Sequence, residues 1–233
     1  MEIKFFSIVS DLDNRYSAIK DNFIKSLDRI GLIKEHELVK IDTLSGDFHE
    51  GDFSKTVYKK LDLTYRYLSE GYHVLYSDLD IVFFKNPLKY LRNLMDQNNY
   101  DILFQHDYIK ATEEDNDPGE IYSQYCTGFF FVKPSKWTIK LFDQKYGLFI
   151  NRKNKVDLKN ACDIYDQGYI NTKLMQNRFK RLQISLLDKN FFPNGWYWRH
   201  YNKDLDPYIV HYNCIHGIEN KEKEMKAFNH WLL

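Results

Sequence analysis

The chain has 233 residues, enough for one domain with a sizeable core. Its 33 basic and 33 acidic residues cancel, which excludes the one-signed field of a nucleic-acid binder and leaves no acidic tail. Aromatic residues make up 17% of it, with 17 Phe and 18 Tyr, so much of any core must be built from rings. No stretch approaches the length of a membrane span. The opening "MEIKFFSIVSDLD" lacks the basic start and the apolar length of a signal peptide. Cys126, Cys162 and Cys214 are odd in number and widely spaced, which argues against a disulfide framework and for a reducing compartment. These features predict a cytoplasmic protein, with viral or host cytosol included.

In chain order, "IKFFSIVS" (3–10) predicts a buried first strand and "RYSAIKDNFIKSLDRIG" an amphipathic helix closed by Gly31. "HELVKID" (36–42) predicts a second strand. Residues 54–70 predict a helix with Val57, Leu61, Tyr65 and Leu68 on one face and Gly71 as its stop. "YHVLYSDLDIVFF" reads as a strand running unbroken through an acidic pair, followed by a helix that starts at Pro87. "YDILFQHD" (100–107) is a strand, 108–120 an acidic loop, and "TGFFFVKPS" (127–135) a strand leading into the helix "KWTIKLFDQKY". Residues 147–162 are irregular. A helix at 166–176 and short strands in "LQISLL" and "YIVHYN" (208–213) complete the pattern. Strands alternating with helices predict an α/β domain, a mostly parallel central sheet flanked by helices. In such sheets ligands sit beyond the carboxyl ends of the strands.

The tetrapeptide "SDLD" occurs twice, at 10–13 and at 77–80. With 22 aspartates in the chain, chance supplies about two Asp-x-Asp triplets. Four are present, so context must discriminate. Asp115/Asp117 and Asp204/Asp206 lie in polar loop or turn sequence, where hydrated carboxylates are the default. Asp11/Asp13 precedes a helix, which Asp13 or Asn14 would cap. Asp78/Asp80 lies between "VLY" and "IVFF". In extended chain both carboxylates face one way, and two like charges among apolar neighbours need compensation. Hard oxygen ligands suit Mg2+ or Mn2+. A strand that ends at Tyr76 and leaves both groups hydrated fits the segment equally.

The segment "GYHVLYSDLDIVFFKNPLKYL" resembles the central motif of metal-dependent nucleotide-sugar glycosyltransferases of the GT-A fold. It is most similar to the nucleotide-diphospho-sugar transferases of glycosyltransferase family 77. "YDILFQHD", "TGFFFVKPS", "DQGYIN" and "VHYNCIHGIENKEKEMKAFNHWL" follow in the family's order, so the resemblance spans roughly residues 54–233. It implies a retaining, Rossmann-like GT-A transferase. Such an enzyme moves a galactose-, xylose-, arabinose- or glucose-type sugar from a nucleotide-sugar, UDP-linked, to a carbohydrate or protein-glycan acceptor, with Mn2+ or Mg2+. By that resemblance residues 1–107 form the nucleotide-binding half and 108–233 the acceptor- and sugar-binding half. Asp80 binds the metal, Asp78 the metal or the ribose, and His211 is the third metal ligand. Gly217 and Lys221 approach the diphosphate, Lys60 neutralises phosphate or orients a carboxylate, and Asp107, Thr127 and Gly128 line the sugar pocket. Asp166 and Gln167 stand at the reacting carbon.

Plain structural roles compete at several of these positions. His211 could be a satisfied structural histidine, Lys60 or Lys221 an exposed lysine, and Asp166 the cap of its helix. The family carries Asn where this chain has Cys126, and a thiol cannot make an amide's hydrogen bonds. The aromatics of "NFFPNGWYWRHY" (190–201) suit either a lip over an acceptor or core packing. A zinc site from His211, Cys214 and His216 is disfavoured because His211 and Cys214 fall on opposite faces if the strand continues and no Cys-x-x-Cys pair supplies the other ligands. Other readings of the whole chain are a metal-dependent phosphatase or nucleotidyltransferase, and a non-catalytic nucleotide-sugar or carbohydrate-binding module. Asp11/Asp13 lies where a haloacid-dehalogenase-type phosphatase has its Asp pair, but Arg15 stands where that family has Thr.

Overall fold

The computed structural model describes residues 2–10, 14–43, 53–107, 124–145 and 165–233. Strands β1 (Ile3–Ser10), β2 (His36–Ile41), β3 (His73–Ser77), β5 (Ile102–Asp107), β6 (Gln124–Val132) and β7 (Ile184–Leu186) form one six-stranded sheet in the order β2-β1-β3-β6-β5-β7. β2, β1 and β3 pair in parallel, as do β5 and β7, while β6 runs against both its neighbours. A second, two-stranded sheet pairs β4 (Ile81–Phe83) with β8 (Ile209–His211) antiparallel. The helices are α1 (Ser17–Arg29), α2 (Phe53–Ser69), α3 (Leu88–Asn98), α4 (Lys136–Phe142), α5 (Asp166–Leu174), α6 (Gly195–Tyr201) and α7 (Ile218–Ala227). The architecture is the expected α/β domain with a mostly parallel sheet. No helix of the described residues is long and apolar enough to cross a membrane.

Both faces of the sheet are covered, which is why its strands read as near-continuous apolar runs. Phe6, Tyr76, Phe104 and Phe130 face a cluster with Leu61 and Leu68 of α2, Leu141 and Phe142 of α4 and Ile170 of α5. Phe5, Leu75, Leu103, Phe129 and Phe131 face the opposite cluster with Phe23 and Leu27 of α1 and Leu91 and Met95 of α3. A third cluster joins Ile19, Val82, Val210, Tyr212, Trp198 and Met225 beneath the small sheet.

Several expectations need correction. On α2 the buried face runs through Val57, Lys60, Leu61, Thr64 and Leu68, whereas Tyr65 is 38% exposed. Helix α1 is capped by Tyr16 without a side-chain hydrogen bond, not by Asn14, and Asp13 lies outside the described residues. The strand through the second SDLD is broken. β3 ends at Ser77, the chain turns at Leu79–Asp80, and β4 starts at Ile81 in the other sheet. No Gly or Pro marks that turn; the small sheet imposes it by pairing β4 with β8. Half of the six aromatic rings of 190–201 serve packing rather than a lip. Phe192 enters the cluster above α3, Trp198 lies beneath the small sheet, and Tyr197 is buried. The acidic loop 108–120 and the irregular stretch 147–162 lie outside the described residues.

Candidate functional site

β3 and β5 end on the same side of the large sheet, and β6 enters from there. The β5–β6 ladder is irregular at this point: Phe104 faces Phe130, but the next residue, Gln105, faces Cys126. Thr127, Gly128 and Phe129 are therefore passed over on the β5 side. Such irregularities redirect side chains and commonly flank binding sites. Gly128 accepts a hydrogen bond from the Asp78 backbone N–H at 2.7 Å, so the acidic turn leaves β3 directly against it.

The small sheet supplies the other wall. Ile81 lies opposite His211, and the Tyr212 N–H donates to the Asp80 carbonyl at 2.9 Å. That register places a late histidine against the acidic pair. Asp78, Asp80 and His211 each offer a ligand atom within 4.8 Å of the others; among the described residues no other group of three such side chains does so. His211 Nε2 is 3.2 Å from Asp80 Oδ1 and 4.0 Å from Asp78 Oδ2. The His211–Cys214–His216 zinc reading is thereby set aside: Cys214 sits at φ 60° with its thiol 3.9 Å from Asp107 Oδ1.

A cation suits this cluster. Two carboxylates and an imidazole are a hard, oxygen-rich donor set compatible with a divalent ion. The space beside them is held open by a missing side chain. A Cβ on Gly128 would stand 2.4 Å from His211 Cε1 and 2.6 Å from Asp78 Oδ2. Val210 and Tyr212 point away into the core, while His211 and Asn213 share the face toward the site.

Two lysines flank the pair. Lys221, from the first turn of α7, places Nζ 2.6 Å from Asp80 Oδ2. Gly217, at φ 84°, is the residue before that helix. Burial alone would raise the Asp80 carboxyl, but Lys221 and then His211 hold it well below the usual carboxylate range. Lys60 is 3% exposed, and the adjacent Lys59 is exposed, which separates the two lysines of that pair. Lys60 Nζ lies 2.6 Å from Asp166 Oδ2 and 3.6 Å from Asp78 Oδ1, and donates to the Thr127 carbonyl at 3.0 Å. Burial would lower the Lys60 ammonium; Asp166 and Asp78 reverse this and raise it. Asp78 keeps 35% of its side chain open. Burial raises its carboxyl, Lys60 opposes and Asp80 adds to the rise. The Tyr76 hydroxyl donates to Asp78 Oδ1 at 2.6 Å.

Asp166 begins α5 but does not cap it; Tyr165 does, without a side-chain bond. Asp166 Oδ2 instead accepts from Thr127 Oγ1 at 2.7 Å and from Lys60. Gln167 Oε1 accepts from the Thr127 N–H at 3.3 Å, and its amide donates to Asp107 Oδ2 at 2.5 Å. Asn213 donates to the other Asp107 oxygen at 3.0 Å. Burial raises the Asp107 carboxyl against the hydrogen bond from Gln167. One network thus links the carboxyl end of β5, the irregular part of β6, α2, α5 and the strand end after β8. Gln105, Tyr76 and Asn213 belong to it and were not singled out from sequence. Each lies within two residues of a residue that was, which is the only signal available. Of the other triplets, Asp206 pairs with Lys85 at the surface, and Asp11/Asp13 and Asp115/Asp117 lie outside the described residues.

Residues 26–225 match the family model described as nucleotide-diphospho-sugar transferase. The chain belongs to that family. This member is 28% identical over 183 residues to a UDP-galactose:fucoside alpha-3-galactosyltransferase of Dictyostelium discoideum, covering 71% of the chain and 26% of that protein. It is 29% identical over 178 residues to the UDP-D-xylose:L-fucose alpha-1,3-D-xylosyltransferase MGP4 of Arabidopsis thaliana, covering 71% of the chain and 46% of that protein. The family member described here thus spans between a quarter and a half of these relatives. Its fold is that of solved glycosyltransferases. A glycosyltransferase involved in glycosylation of the major capsid of PBCV-1 superimposes with TM-score 0.56 at 12% identity, over 97% of this chain and all of that one. The galactosyltransferase LgtC, with donor and acceptor sugar analogues, gives 0.55 at 13% identity over 99% and 96% of the two chains.

Proposed function

We propose that this chain transfers a sugar, with retention, from a UDP-sugar to an acceptor hydroxyl on a carbohydrate or protein glycan. The observation that carries the reading is the convergence of Asp78, Asp80 and His211 around a space that only a glycine at 128 leaves open. Asp78, Asp80 and His211 would hold Mn2+ or Mg2+. A divalent ion bound there would offset charge on the donor diphosphate as it departs. Lys221 carries a second positive charge beside the same carboxylate, and Gly217, at φ 84°, lets the chain turn into α7 beside it. Residues 1–107 act as the nucleotide-binding half, and 108–233, the acceptor- and sugar-binding half, supply His211 and Lys221. Both halves contribute strands to one sheet, which suits a single catalytic domain.

In the transfer, the bond from the sugar's anomeric carbon to the diphosphate oxygen breaks and the acceptor oxygen bonds to that carbon on the same face. The acceptor's proton leaves with the departing diphosphate oxygen. Asp107, Thr127 and Gly128 line the donor-sugar side, where Asp107 accepts hydrogen bonds. Asp166 and Gln167 stand opposite the leaving group. Lys60 and Thr127 both hold Asp166 Oδ2, which fixes that carboxylate in place. A fixed negative charge there favours an oxocarbenium-like state. A reducing, cytoplasmic setting suits the buried Cys126 thiol.

Thermal-shift titration with UDP-galactose and UDP-xylose, with and without Mn2+, tests the reading. Stabilisation by donor that requires Mn2+ and disappears in Asp80→Asn is expected. Stabilisation independent of both would overturn it.

A further inference from the structure

Gln105 is fully buried at the irregular point of β5, directly behind His211. Its amide nitrogen donates to the Phe192 carbonyl at 3.0 Å and the Pro193 carbonyl at 3.1 Å. Those two carbonyls fix the orientation of the amide, because turning it over would set Oε1 against two other acceptors. Oε1 therefore faces His211 Nδ1, at 2.7 Å. A carbonyl-type oxygen can only accept, so Nδ1 must be the donor. The Cys126 sulfur, 3.9 Å from the same nitrogen, is a distant and weak competitor. The proton on Nδ1 leaves Nε2 as the ring nitrogen directed at Asp80 and Asp78. A metal-ligating histidine commonly has its other nitrogen held in this way.

We propose that Gln105 is a positioning residue. It keeps a proton on His211 Nδ1 and locks the ring so that Nε2 is presented to a cation between Asp78 and Asp80. This rests on the metal reading above, and it adds a residue that touches neither donor nor metal. Gln105 also ties residues 192–193 to the sheet, so the test must separate positioning from support.

Two measurements do so. The first is 15N–1H correlation of the His211 ring in wild-type protein, at a pH well above the ordinary imidazole range, with and without Mg2+. A proton on Nδ1 in both samples is expected; a bare Nδ1 with the proton on Nε2 would overturn the proposal. The second is Mn2+ affinity by electron paramagnetic resonance at fixed UDP, in Gln105→Leu and Gln105→Glu. Glu keeps an acceptor facing Nδ1 but sets its second oxygen against the two carbonyls, whereas Leu loses the acceptor as well. Positioning predicts about a 10- to 100-fold loss in Gln105→Leu and a clearly smaller loss in Gln105→Glu. Equal losses in both variants would mean support alone, and wild-type affinity in Gln105→Leu would also overturn the proposal. If wild-type protein takes up no Mn2+, the metal reading falls and this inference with it. If it takes up Mn2+ but Nδ1 is bare, only this inference falls.

Discussion

Lys221 Nζ lies 2.6 Å from Asp80 Oδ2. The ammonium neutralises that carboxylate. Replacing Lys221 by Met leaves Asp80 with His211 as its remaining close partner and is expected to cost about 1–3 kcal/mol of stability without metal. Saturating Mn2+ should restore much of this, so the melting-temperature rise on adding Mn2+ is larger in Lys221→Met than in wild type. The same variant is expected to raise the KM for a UDP-sugar about tenfold or more.

Gly128→Ala tests the open space. The new Cβ would overlap His211 Cε1 and Asp78 Oδ2, neither of which can withdraw without disturbing its partners. The expected outcome is a folded protein whose Mn2+-dependent thermal shift is lost. An unchanged Mn2+ titration would show that the cation is held elsewhere.

Lys60 and Asp166 form a buried pair with side chains 4% and 5% exposed. Lys60→Met removes one partner and leaves a buried carboxylate uncompensated, with an expected loss of about 3–5 kcal/mol in urea denaturation. Adding Asp166→Asn should recover part of that loss, because the neutral amide no longer needs a counter-charge. Additive losses in the double variant would contradict the pairing.

His230 supplies a pH signature away from the site. It is 6% exposed, packed by Phe84 and Trp198, and its Nδ1 lies 2.6 Å from the Tyr212 hydroxyl. Burial lowers its pKa from 6.5 to about 4. Between those values the unfolded chain binds the proton and the folded chain does not, so stability falls as pH drops from 6.5 towards 4. The full effect is on the order of 3 kcal/mol. A urea-denaturation series over this range should show the slope, and His230→Phe should flatten it.

The elements of the fold were legible wherever one face or both are apolar. "IKFFSIVS", "YDILF" and "FFFV" are strands buried on both sides, and α1 and α3 carry clear stripes. The second SDLD stood out because apolar residues bracket it. The turn within it was not legible, since its cause is the pairing of Ile81 with His211, 130 residues later in sequence. Distance along the chain hides the rest as well. Lys60 meets Asp166, Asp107 meets Asn213 and Gln105 meets His211, each across more than a hundred residues. A single buried glutamine in an apolar strand has no periodicity to betray it. Its role follows only from which atoms it faces.

The most direct measurement is UDP release from UDP-galactose and UDP-xylose, with and without Mn2+, in wild type and Asp80→Asn. The account predicts release that requires Mn2+ and falls about a hundredfold or more in the variant. Release that proceeds equally without metal, or that survives in Asp80→Asn, would contradict it.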